Sequence, residues 1–373
     1  MNPFLYQNSC CDENFCFRDE ELEHLEQMIS NHLNVLLYSK RKVGKTSLIK
    51  VFFADKIDKK HYIPIYIDLF DINNAIDFIK VFYKQIAFNM PCNYKSVLKE
   101  LKELFNRVTF SATIKDDGDI EFIPTLNSYN FEELMSDIYR GLEKLSENYG
   151  KKVVIAFDEF QQIMPIKDTK IAFILHEFME KYPEVNYIFT GLKRHLLTDL
   201  FSKKKSPLYD TVKQMEIKAI PLEQFYAFVD KKFEGRLDLE QFEYLYAKTD
   251  GETKLIQEFC YHLYYKGEQN INQKITKEDI DEVCQQLFES KSGYFKMLLD
   301  RLSIPKKVAL KAIIITDGIE LYTKETLFKL QMTKSSLNTA IRNLYKDEII
   351  DKEDNRYYIT NRCFELWCRK KFL

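Results

Sequence analysis

Fourteen consecutive residues, Val35-Leu-Leu-Tyr-Ser-Lys-Arg-Lys-Val-Gly-Lys-Thr-Ser-Leu48, restrict this chain more than any other stretch. A short apolar run, read as a strand, enters a polar loop that closes on Gly44-Lys45-Thr46 and opens a helix. Gly44 lets the backbone curl so that its N–H groups face an anion. Lys45 can reach β and γ phosphates, and Thr46 offers a hydroxyl to Mg²⁺ at the first helical turn. The candidate phosphate contacts are Ser39, Lys40, Arg41, Lys42, Val43, Gly44, Lys45, Thr46 and Ser47. The pattern asks for glycine at position 39, where this chain has Ser39. A Gly-Lys-Thr that merely caps a helix is the competing reading, so the decision passes to the rest of the chain.

Lys151-Lys-Val-Val-Ile-Ala-Phe-Asp-Glu-Phe160 supplies the partner. Its continuous apolar run predicts a buried parallel strand, and open α/β sheets place their chemistry at the C-terminal strand ends. Asp158 can then hold Mg²⁺ together with Thr46, and Glu159 can polarise a water aimed at the γ phosphate. Asp-Glu alone would also suit a plain acidic turn; a Gly-Lys-Thr loop upstream favours the chemical reading. Val185 to Gly191 reads as a neighbouring strand that presents Thr190 to the attacking water or the γ phosphate. Lys193 and Arg194 follow, and Arg18 precedes an expected helix from Asp19 to Leu36; each suits phosphate or plain solvent equally.

Strand, loop, helix, strand, helix is the order of an α/β domain. It is expected over residues 1–220, with a surface insertion near 91–130 made of a helix from Val97 to Val108 and a small hairpin. Helices alone follow over 221–288, a helical lid in which Lys254 can sense phosphate and Thr276 to Asp279 has capping-box spacing. Residues 289–373 read as three helices and a hairpin, the layout of a winged helix. From position 287 onward there are 17 Lys and Arg against 11 Asp and Glu, while the whole chain carries a formal charge of -2. Lys334, Ser335, Asn338, Thr339 and Arg342 lie opposite the apolar stripe of the third helix and are the candidate DNA contacts, with Arg356 in the wing. Asp347, Glu348, Asp351, Glu353 and Asp354 oppose that reading and keep a protein-docking role open.

The near-neutral total gives no polyelectrolyte argument for nucleic acid. No apolar run approaches the roughly 20 residues of a membrane span, and the expected setting is the cytoplasm, with no membrane partner. Eight cysteines spread over 373 residues without Cys-x-x-Cys spacing read as reduced thiols; Cys10, Cys11 and Cys16 have no evident fourth metal ligand.

The motifs together resemble the archaeal ATPase family, a branch of the signal-transducing P-loop NTPases related to AAA+ proteins. The family's phosphate loop is similar to Ser39-Lys-Arg-Lys-Val-Gly-Lys-Thr-Ser-Leu48, its Walker B strand end to Asp158-Glu-Phe-Gln161, and its sensor strand to Tyr187-Ile-Phe-Thr-Gly-Leu-Lys193. A closing aromatic pattern is loosely matched by Tyr358-Ile-Thr-Asn-Arg-Cys-Phe-Glu-Leu-Trp367. Ser39, Leu192 and the Gly251-Glu-Thr253 turn depart from the family. The resemblance implies an AAA+-like fold, ATP with Mg²⁺, and a nucleotide-controlled switch acting through the C-terminal module on duplex DNA or a protein. The alternatives are a DNA-binding initiator or regulator with incidental hydrolysis, or a scaffold that binds ATP without turnover. Self-association on nucleotide binding remains open.

Overall fold

The computed structural model describes residues 2–4, 6, 15–40, 42–92, 94–116, 118–166, 170–191, 197, 200–268, 274–353 and 355–373. The chain divides into two compact units, one of residues 9–40 and 44–218, the other of residues 1–8, 41–43 and 219–373.

The first unit is built on a parallel sheet. Its strands are β1 (Val35–Tyr38), β2 (Tyr62–Asp68), β5 (Lys152–Asp158), β6 (Asn186–Gly191) and β7 (Lys213–Glu216), in the order β2-β5-β6-β1-β7. Registers such as Leu37 to Thr190 and Asp68 to Asp158 bring the C-terminal ends of β1, β2, β5 and β6 to one edge. Helices α1 (Asp19–Ser30), α2 (Lys45–Val51), α3 (Ala75–Phe88), α5 (Phe131–Tyr149) and α6 (Ile171–Lys181) surround it. The helix expected to reach Leu36 ends at Ser30, because Asn31 caps it and His32 turns at φ +57°. After α2 the chain widens into a π turn over Phe52–Lys56. Beneath β5 an aromatic core holds the strand: the Phe157 ring packs 5.8 Å from Phe78 and 5.9 Å from Phe189.

Residues 91–130, expected as a surface insertion, carry both exposed strand positions and side chains that pack on the core. Here α4 (Tyr94–Leu104) ends before Val108, which starts the hairpin β3 (Val108–Ile114) and β4 (Ile120–Leu126). Val97, Leu101, Phe105, Val108, Phe122 and Leu126 join the same apolar core as the sheet. Asp137 on α5, 1 % exposed, pins the junction by accepting from the Tyr83 hydroxyl at 2.9 Å and from the N–H groups of Asn106 and Arg107 at 3.2 Å. A buried carboxylate is stable only with such donors.

The second unit is mostly helical. It contains α7 (Leu222–Phe233), α8 (Leu239–Thr249), α9 (Thr253–Glu268) and α10 (Lys277–Asp300). The Thr276–Asp279 capping box opens α10. That single helix of 24 residues runs through position 288, where the sequence places a domain limit. Next come α11 (Ile304–Ile315), α12 (Lys324–Leu330), α13 (Lys334–Lys346), an antiparallel pair β8 (Ile350–Glu353) and β9 (Arg356–Ile359), and α14 (Arg362–Phe372). Phe364 and Trp367 of α14 pack on Phe295 of α10 at 5.4 and 5.7 Å. The N-terminal segment, read as an irregular start, is also part of this unit: Phe4 is fully buried, 4.9 Å from Phe233. Among the described residues no helix is long and apolar enough to cross a membrane.

Gly141 on α5 faces Phe105 so closely that an added Cβ would lie 2.0 Å from the ring. Gly141→Ala should therefore destabilise the protein by about 1–3 kcal/mol through overpacking, read as a lowered midpoint in urea unfolding.

Candidate functional site

The centre of the site is the Asp158 carboxylate at the end of β5, only 2 % exposed. Four donors reach it. Thr46 Oγ1 donates to Oδ2 at 2.7 Å, and so does the Tyr66 hydroxyl at 2.8 Å. Thr190 Oγ1 donates to Oδ1 at 2.5 Å, and the Glu159 N–H to the same oxygen at 3.0 Å. A carboxylate has about four lone-pair sites, so these donors saturate it and join the ends of β2, β5 and β6 to the start of α2.

Thr190 is fully buried and its hydroxyl is committed to Asp158. It orients that carboxylate, where the sequence suggested contact with water or phosphate. Tyr66 was missed, because its chemistry emerges only when β2 lies beside β5. Burial and the Asp158 charge push the Tyr66 hydroxyl far above its ordinary pKa, so it keeps its proton and donates it to that carboxylate.

Gly44 adopts φ +101° immediately before α2, a backbone that favours glycine. Lys45, 5 % exposed, donates from Nζ to Ser39 Oγ at 2.7 Å and lies 3.4 Å from the Lys40 carbonyl oxygen. The residue that replaces the pattern's first glycine thus accepts from the phosphate-loop lysine. Lys40 is exposed, Val43 buried and Ser47 intermediate.

Glu159 adopts φ +54° as β5 gives way to a 3₁₀ turn over Phe160–Ile163. Gln161 Nε2 donates to Glu159 Oε2. Burial raises the Glu159 pKa and the Asp158 charge adds to the rise, while the Gln161 hydrogen bond opposes it.

Lys42 is counted with the other unit, within which its Nζ lies 2.9 Å from Glu252 Oε1 and its carbonyl accepts from the Lys254 N–H at 3.3 Å. The Lys254 side chain is exposed. Arg18 is 3 % exposed and pairs with Glu21 at 2.7 Å, which removes the solvated-arginine reading. Arg41, Lys193, Arg194, Leu192, Cys10, Cys11 and Asp354 lie outside the described residues. No cluster of three or more His, Cys, Asp or Glu suited to a metal occurs among the described residues.

Within the C-terminal module, Lys334, Ser335, Asn338, Thr339 and Arg342 are all exposed on α13, whose Leu337, Ala340, Ile341 and Leu344 are buried. Thr333 caps this helix through the Ser336 N–H. Arg356 is exposed, but its Nε already donates to the Asp317 carbonyl at 2.9 Å.

The raised Glu159 pKa means that the folded chain binds this proton more tightly than the unfolded chain. The stability it contributes is full below the ordinary Glu value near about 4.3 and is lost as pH rises through the folded value. Glu159→Gln should thus raise the melting temperature at neutral pH, and the gain should vanish below about pH 4; melting curves across pH check both limbs.

Residues 15–259, well over half of the chain, match the family described as an ATPase domain predominantly from Archaea. An uncharacterised ATP-binding protein of Methanocaldococcus jannaschii is 23% identical over 320 residues, covering 80% of this chain and 82% of its own length. Among solved structures, the Walker-type ATPase of Pyrococcus abyssi has a TM-score of 0.67 at 19% identity, covering 98% of this chain and 99% of the other. The Aeropyrum pernix ORC2 protein has a TM-score of 0.59 at 12% identity, covering 96% of each chain. The ORC1 protein of the same organism, solved in complex with DNA, has a TM-score of 0.51 at 12% identity, covering 96% of this chain and 94% of the other. These structures share the fold. The chain belongs to the family of ATPase domains found predominantly in Archaea, built on a parallel sheet surrounded by helices.

Proposed function

We propose that this protein is a Mg²⁺-dependent ATPase of slow turnover that works as a nucleotide-controlled switch, presenting its C-terminal winged helix to duplex DNA. The observation that carries the reading is the cluster of Lys45, Thr46, Asp158 and Glu159 at one strand edge, with Thr46 and Asp158 in direct hydrogen-bond contact.

Each side chain has a role that follows from its chemistry. The backbone N–H groups around Gly44 and the Lys45 ammonium bind the β and γ phosphates. Thr46 Oγ1 and Asp158 Oδ2, 2.7 Å apart, are two oxygens that would hold a hard cation in place of the hydrogen bond now between them. Thr46 and Asp158 would hold Mg²⁺, which would supply neutralisation of the phosphate charge. Thr190 and Tyr66 keep the Asp158 carboxylate oriented. Glu159 takes a proton from water, and burial, which raises its pKa, makes the carboxylate a stronger base.

Two features favour DNA as the partner over a protein. The exposed face of α13 carries Lys334 and Arg342 among small polar side chains, the residue types that meet phosphates and base edges. The similarly folded ORC1 protein of Aeropyrum pernix was solved in complex with DNA.

Turnover of ATP with Mg²⁺ should be abolished by Lys45→Ala and by Glu159→Gln, while Glu159→Gln still binds ATP. Turnover unaffected by both changes would remove the ATPase reading. Ser39→Gly should tighten ATP binding roughly three- to tenfold, the worth of one hydrogen bond of about 0.5–1.5 kcal/mol, because Lys45 loses the acceptor that competes with phosphate; nucleotide titration reads this. Reversing the charges of Lys334 and Arg342 should weaken duplex binding and flatten its salt dependence. Unchanged affinity would redirect the search to a protein partner.

A further inference from the structure

Helices α7 and α9 together seat a piece of chain that belongs to no helix or strand. Residues 2–4 and 6 are part of the helical unit, yet they fall outside the 15–259 stretch that matches the ATPase family. Among the described residues, no backbone-to-backbone hydrogen bond ties them to the helices. Side chains hold them instead.

Three successive groups of this segment each meet a partner of matching chemistry. The Asn2 side chain folds the segment into a turn: its Oδ1 accepts from the Phe4 N–H at 3.0 Å, and its Nδ2 donates to the Tyr261 carbonyl at 2.8 Å. Pro3 has a fixed φ and no N–H to leave unpaired, and its carbonyl accepts from Lys232 Nζ at 2.7 Å. The Phe4 ring is fully buried, 4.9 Å from Phe233 and 6.2 Å from Tyr264. Lys232 Nζ also stands 5.5 Å from the Phe4 ring and 4.5 Å from Phe228, so one ammonium meets both the ring and the carbonyl before it. Tyr6 packs edge-on against Tyr261 at 5.2 Å.

A buried aromatic anchor with a few placed polar partners is the makeup of a recognition site between helices. A segment held by side chains alone can leave without breaking any backbone ladder. We propose that this seat on α7 and α9 recognises an Asn-Pro-Phe turn, and that the turn of a second copy of the chain can take the place of the chain's own. A second copy offers identical chemistry, and the exchange is reciprocal. Each copy gives one segment and receives one, which closes a two-fold pair. In dilute solution the chain's own segment prevails, because attachment gives it an effective concentration that a separate molecule matches only at about millimolar levels. Neither the seat nor its occupant involves the nucleotide-binding residues.

The test uses the full chain and a fluorescein-labelled peptide of sequence Met-Asn-Pro-Phe-Leu-Tyr, read by anisotropy, with sedimentation of the parent and Phe4→Ala followed across concentration. Phe4→Ala removes the chain's own anchor and should bind the peptide roughly tenfold more tightly than the parent, whose attached segment competes. Peptides carrying Asn2→Ala or Phe4→Ala should each bind roughly tenfold more weakly, the scale of one lost anchor. The parent should form dimers at high concentration that Phe4→Ala does not form. If Phe4→Ala folds poorly, Asn2→Ala in the full chain, which keeps the ring and loses the turn, takes its place. A folded opened variant that binds no peptide would overturn the inference and make the segment a fixed part of the core. Peptide binding by a parent that stays monomeric at every concentration would overturn the second copy as occupant and assign the seat to another protein bearing the turn.

Discussion

The Asp158 carboxylate is the constraint on which the sheet unit depends. A negative charge almost wholly removed from water is costly unless its lone pairs are filled. Thr46, Tyr66, Thr190 and the Glu159 amide fill them from four places in the chain. Each of those groups is fixed in turn by the element that carries it, so the correct stacking of β2, β5 and β6 and the start of α2 are all needed to satisfy one side chain. The site and the fold are stabilised by the same hydrogen bonds.

Behind that charge lies an apolar support. Phe157 precedes Asp158 and is held among Phe78, Phe82, Phe160 and Phe189. Large rings lose little side-chain freedom for the area they bury, and they leave the strand end little room to shift. The hairpin region adds Phe105, Phe110 and Phe122 on the far side of α3 and α5, anchored by Asp137. It is a working part of the core whose outer strand face remains exposed.

The second unit shows a different electrostatic solution. Glu252 is 8 % exposed, and burial raises its pKa while Lys42 opposes that rise. Lys291 grips Glu258 through both carboxylate oxygens at 2.6 and 2.7 Å, and Arg369 joins Glu365 at 2.9 Å to Asp317 at 2.7 Å. Lys291 on α10 and Glu258 on α9 tie one helix to the next, while Arg369 ties α14 to the turn that carries Asp317. The chain's Gly251-Glu-Thr253 turn, divergent from the family pattern, supplies Glu252 to the first of these pairs.

The sequence by itself determined the strand, loop and helix around Gly44-Lys45-Thr46, the buried strand ending in Asp158-Glu159, and the caps at Thr276 and Thr333. These are local matters: period, turn chemistry and capping act within a few residues. It also indicated the alternation of buried and exposed positions on α13 for the same reason. Tertiary structure alone decided that Tyr66 reaches Asp158, that Thr190 turns inward, and that Phe4 closes the helical unit. It alone decided that Val97, Leu101, Phe105, Val108, Phe122 and Leu126 join the core and that α10 continues past position 288. Those outcomes depend on which strands become neighbours and which cavities need filling, and a hydroxyl or a ring carries no local sign of a partner that lies a hundred residues away.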